Sequence, residues 1–147
     1  FFCALSAVLL GYRLGALSQL LYVAIGLIGI PIFTKGGGPG YIFQPTFGYL
    51  IGFIFGAYTI GKLIEMFKGF TFSKVFLAIA CGLIVVYLFG ALHLYLIYNI
   101  YLQQPKTISW VLMYGCLIFI GGDLLSGAIA ALIAIRLVPV ISSSRRY

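Results

Sequence analysis

Asp123 lies inside a long apolar run, preceded by Gly121 and Gly122 and followed by no charged residue until Arg136. If that run crosses lipid, an ionised carboxylate there costs at least about 2.5 kcal/mol on insertion scales, so the side chain is expected to face a cavity and to have a partner. A functional site is the default reading of such a residue; a structural hydrogen bond tying two helices together is the alternative. Ser126 follows three positions later, which puts it on the same helical face, although a serine often bonds its own helix backbone. His93 has no Cys, Asp or second His at ligand spacing and reads as a packing or interfacial residue. Glu65 stands three residues from both Lys62 and Lys68, the pattern of a partly solvated helix-end cluster worth roughly a few tenths of a kcal/mol.

No catalytic constellation accompanies these groups. No nucleophile has an identifiable base, no His-Glu pair shares a helix face, and Gly36 to Gly40 lacks the Gly-Lys-Ser/Thr ending of a phosphate loop, so the chain has no means of hydrolysing ATP. General acid or base chemistry at Asp123 would need His93, from another segment, as its partner. Cys3, Cys81 and Cys116 sit in apolar stretches without metal or disulfide spacing and read as packing residues. Neither a cofactor nor a metal is expected.

The elements that must position Asp123 follow from composition. Of 147 residues, 63% are hydrophobic and 7% charged, against about 25% charged in a soluble domain, and the mean hydropathy is +1.19. The solvent is lipid, where backbone groups must pair internally, and the long continuous apolar runs select helices over barrel strands. These runs predict five spans, at about 1–11, 14–30, 46–64, 75–98 and 110–137. Between the second and third lies 31–45, with Gly36, Gly37, Gly38, Pro39 and Gly40, a long loop that cannot continue a helix. The net charge of +7 comes from nine scattered Lys and Arg, which are topology signals and not a nucleic-acid footprint. Lys62, Lys68 and Lys74 on one connection, Arg136, Arg145 and Arg146 at the C-terminus, and Arg13 fall on the cytoplasmic side. Lys35 in the Gly-rich loop and Lys106 in the 103–109 loop fall outside. Since 1–11 is about half a span, a further upstream helix is expected, giving six with both termini cytoplasmic.

Tyr95, Tyr98, Tyr101 and Trp110 gather at the outer interface as an aromatic belt. Gly48, Gly52 and Gly56 recur four apart, as do Gly127 and Ala131, with Ala130 and Ala134 beside them. That spacing lets helices approach closely, within this chain or against another membrane subunit.

The stretch LGALSQLLYVAIGLIGIPIF from Leu14 to Phe33, the Gly-rich loop after it, and QPTFGYLIGFIFGA from Gln44 to Ala57 closely resemble the BioY family, the biotin-specific substrate-capture subunits of energy-coupling factor transporters. GGDLLSGAIAAL, Gly121 to Leu132, is similar to the last-helix signature of that family. The resemblance implies an all-α integral membrane bundle of six helices in a bacterial plasma membrane, with biotin bound near the outer face beneath 31–45 as a lid. It also implies partners: a transmembrane coupling protein and two cytoplasmic ATPase subunits, besides membrane lipid, with no nucleic acid. Biotin has an N–H-bearing ureido head, an apolar thioether ring and an anionic tail, which suits a cavity with aromatic walls and few polar anchors. The residues expected to line it are Asp123, Ser126, Tyr49, Thr46, Gln44 and Tyr22. Two departures stand out. The family usually carries a Lys where this chain has Ser126, and Gly-Pro-Thr-Gly-Gly-Tyr where it reads Gln44 to Tyr49. Either another donor such as Lys35 or Gln44 substitutes for the missing counter-ion, or the preferred ligand has a different tail. A multi-span enzyme using Asp123, or a purely structural membrane subunit, are the other classes compatible with the residues.

Overall fold

The computed structural model describes residues 1–67 and 69–144, with side chains through 138. Lys68, Arg145 and Arg146, three of the topology signals, lie outside the described residues. The described chain is helical, apart from its loops and one isolated bridge between Phe33 and Gly36.

Among the described residues, four helices are long and apolar enough to cross a membrane, where five spans are predicted. The difference lies in α1, Phe2–Ile28, which holds the first two predicted spans. Gly11 breaks it with φ 81° and ψ 176°, a backbone that costs glycine little. The two pieces fold back on each other. Ala7 and Gly15 would stand about 12 Å apart on a straight helix, yet a Cβ on Gly15 would meet the Ala7 Cα at 2.7 Å, and the Gln19 amide donates to the Ser6 hydroxyl at 3.3 Å.

Helix α2 spans Phe47–Met66 and α3 spans Phe72–Leu96, the latter running on into a π turn, Ile97–Tyr101. After a short loop, Thr107 caps α4, Ile108–Leu112, by accepting the Trp110 backbone N–H at 3.3 Å, which satisfies a free amide of the first turn. A second π turn, Met113–Leu117, joins α4 to α5, Ile118–Ser144.

Packing is closest between α2 and α3. Gly48, Gly52 and Gly56 all face α3: a Cβ on Gly52 would meet the Val86 carbonyl oxygen at 2.8 Å, and one on Gly56 would meet the Val86 side chain at 2.7 Å. In lipid, close backbone approach replaces the hydrophobic drive for association. The small residues of α5 are used the same way. Ala130, Ala131 and Ala134 are fully buried with Ala78 and Ile79 of α3, Ala57 and Ile60 of α2, and Ala4 and Ala7 of α1. The ridge offered as a possible face for another subunit is thus consumed within this chain.

This tight core lies toward the end of the bundle that carries Arg13 and Lys62. There Arg13 and Lys62 gather round the Tyr12 ring, and Lys62 pairs with Glu65 at 2.7 Å, both side chains solvent-exposed. At the opposite end a second cluster, Val23, Phe33, Tyr41 and Phe47, roots the 31–45 loop. Between the two clusters α2 and α3 stay packed, and a hollow opens beside them.

Candidate functional site

The hollow is a cavity of about 620 Å³, within the usual range of about 300–1,000 Å³ for small-molecule sites. Its floor is Ile60 and Ile79, at the edge of the tight core, and its roof is the loop carrying Thr34, Lys35, Tyr41 and Gln44. The walls are largely aromatic: Tyr49 and Phe53 of α2, Tyr87 of α3, and Tyr98, Trp110, Tyr114 and Phe119 around the π turns.

Asp123 of α5 faces this space and accepts a hydrogen bond from the Tyr87 hydroxyl through its Oδ2. A lipid-embedded carboxylate with a hollow beside it and a donor on it is the arrangement expected from its position in sequence. Tyr87 takes one oxygen; no protein partner is recorded for Oδ1 among the described residues.

The remaining polar groups stand nearer the roof. The Tyr49 ring fits against Gly90, where no Cβ could be accommodated, and its hydroxyl donates to the Gly115 carbonyl at 2.7 Å. Gly115 belongs to the second π turn, a geometry that displaces a carbonyl from the regular ladder and often marks functional sites. The backbone carbonyl of Gln44 meets His93 Nε2 at 3.2 Å, and its side-chain oxygen accepts a long bond from Lys35 at 3.5 Å. Thr46 lines the cavity at the start of α2.

The loop is well braced. Phe33 and Gly36 exchange backbone hydrogen bonds at 3.0 Å each, leaving Thr34 and Lys35 at the tip of a tight turn. The Phe33 ring rests on Gly26 and contacts Tyr22 and Tyr41 at 5.5 and 4.5 Å between centroids. Farther along, Phe43 stacks on Tyr101 at 4.8 Å. Asn99 and Lys106 bond each other's amide and backbone groups, and Lys106 lies 4.9 Å over Trp110.

The chain matches the family model described as "BioY family" over residues 1–143. This chain belongs to the BioY family. It is 41% identical over 144 residues to "Probable biotin transporter BioY" of Lysinibacillus sphaericus, covering 98% of this chain and 74% of that protein. It is 39% identical over 139 residues to "Biotin transporter BioY" of Thermotoga maritima, covering 93% and 76%. Among solved structures it is similar, with a TM-score of 0.79 and 26% identity, to the S-component for biotin from an ECF-type ABC transporter, over 92% of this chain and 70% of that one. As a BioY-family chain it is a multi-pass protein of the bacterial plasma membrane, of a transporter family and not an enzyme.

Of the residues expected to line the site in this BioY-family chain, the structure brings Asp123, Tyr49, Thr46 and Gln44 to one cavity. Ser126 and Tyr22 are not among its lining residues. Ser126 is half-buried one turn deeper on α5, beside Gly127, where α5 closes on Ile79 of α3. The Tyr22 hydroxyl is spent on the Ile32 carbonyl at 3.1 Å, bracing the base of the loop. Nor does the structure join Asp123 to His93, whose ring serves Gln44 and packs on Phe47. Sequence reasoning missed Tyr87, whose signal was a tyrosine at mid-span, away from either interface. It also assigned Tyr98 and Trp110 to a lipid belt, whereas both wall the cavity.

Proposed function

We propose that this chain captures biotin from the outer side of the membrane and delivers it inward by docking on a transmembrane coupling protein driven by two cytoplasmic ATPase subunits. The observation that carries this reading is the Tyr87–Asp123 pair set into an aromatic-walled cavity under a folded outer loop. Tyr87 orients the carboxylate, so Oδ1 is left for an N–H donor, and such a charge-assisted bond is stronger than a neutral one. A ureido head supplies that donor, and the thioether ring fills the space among Tyr49, Phe53 and Phe119. Gln44 and Thr46 contribute the polar contacts nearer the loop. The relatives named as biotin transporters, and the biotin S-component that the fold follows, support the same ligand. With no nucleotide motif in the sequence, energy must come from other subunits.

The test is binding of labelled biotin to the purified full-length protein, with riboflavin and thiamine as competitors. Saturable binding displaced by unlabelled biotin alone is expected; binding that is not saturable, or is displaced equally by the other vitamins, overturns the reading.

A further inference from the structure

Among the described residues lining the cavity, two carry charge: Asp123 and Lys35. They stand at different depths. Asp123 is bonded to Tyr87, whereas Lys35 reaches toward Gln44, whose carbonyl meets His93. His93 is six residues beyond Tyr87 on α3, a rise of about 9 Å. The cavity thus has an anionic, donor-seeking point well inside it and a cationic point at its mouth, with aromatic wall between. Such a site is polarised along its length and suits a ligand with N–H donors at one end and an anion at the other.

We infer that Lys35 is the specificity-determining cation of this site, holding the carboxylate at the ligand's tail while Asp123 holds its head. Its ammonium has three donors, and among the described residues it meets Gln44 through one long 3.5 Å bond. The presentation is fixed by the loop: the two-residue turn between Phe33 and Gly36 sets Lys35 at its tip, and Phe33 is clamped on Gly26. Ser126 carries no charge and does not line the cavity. Bringing an anion under the loop therefore couples ligand recognition to the loop itself: a ligand lacking the anion leaves the roof with nothing to hold.

The inference rests on the biotin reading and is tested with two ligands, biotin and its neutral primary amide, on the full-length protein and on Lys35→Ala and Lys35→Gln. The wild type is expected to favour biotin by about tenfold, a preference that shrinks as salt is raised. Both variants are expected to bind the two ligands alike, with amide affinity equal to that of the wild type, which also shows that they are folded. Variants that keep the preference, or that lose both ligands in parallel, overturn the assignment. So does a wild type that binds biotin and amide equally, which would leave the biotin reading standing. A wild type that binds neither overturns both.

Discussion

The Tyr49 hydroxyl donates to the Gly115 carbonyl at 2.7 Å, joining residues 66 positions apart. The bond ties the first half of α2 to the π turn between α4 and α5, and both residues line the cavity. Its length is possible because Gly90 leaves room for the ring on α3 and Gly115 exposes its carbonyl on the far side.

Removing that hydroxyl takes away the bond that joins α2 to the Gly115 carbonyl, a loss of about 1 kcal/mol. Tyr49→Phe is therefore expected to lower the melting temperature by a few degrees and to weaken biotin about fivefold, measured by thermal shift and by equilibrium binding in detergent. An unchanged midpoint and affinity would show that the contact holds nothing together.

Asp123 and Tyr87 separate by the size of their effects. Asp123→Asn removes the charge that receives the ligand's N–H and is expected to weaken biotin roughly a hundredfold, about 2.7 kcal/mol. Tyr87→Phe leaves the charge but frees its orientation, for a loss of about tenfold. Isothermal titration of both variants checks the ranking; a structural subunit would show neither loss.

The packing account predicts a stability effect far from the cavity mouth. Gly52→Leu forces a side chain into the Val86 backbone, and overpacking of this kind costs at least about 1–3 kcal/mol. Its melting temperature should fall clearly below that of Leu88→Ala, a change on an outward-facing residue. Equal midpoints for the two would mean that α2 and α3 do not depend on close approach.

His93 distinguishes a capture protein from acid–base chemistry. It supports Gln44 through one hydrogen bond, so His93→Ala is expected to retain biotin with a loss no greater than about fivefold. Complete loss of binding would give the ring a direct part that its position does not suggest.

Much of this was readable before any coordinates. Asp123 announces itself because lipid penalises an unpaired carboxylate, and Gly48, Gly52 and Gly56 announce their helix face because four-residue spacing returns small residues to one side. The count of spans was harder. Gly11 reverses the chain in a single residue, so the first two runs are separate helical pieces joined with no loop between them. Ser126 shares a face with Asp123 only to within about 60° and stands a turn deeper, just where Gly127 brings α5 against α3; sequence spacing alone does not say where two helices converge. Rings near the loop end of the bundle fit a lipid belt and a cavity wall equally well, and the π turns that carry Tyr98 and Tyr114 leave no mark in the sequence.

The central claim is that the Tyr87–Asp123 pair holds the head of a captured vitamin. A structure of the full-length protein with biotin bound tests it most directly. The account predicts a ureido N–H within about 3 Å of the Asp123 carboxylate, with Tyr87 still donating to the other oxygen. Biotin seated elsewhere, with Asp123 touched by Tyr87 alone, would contradict it.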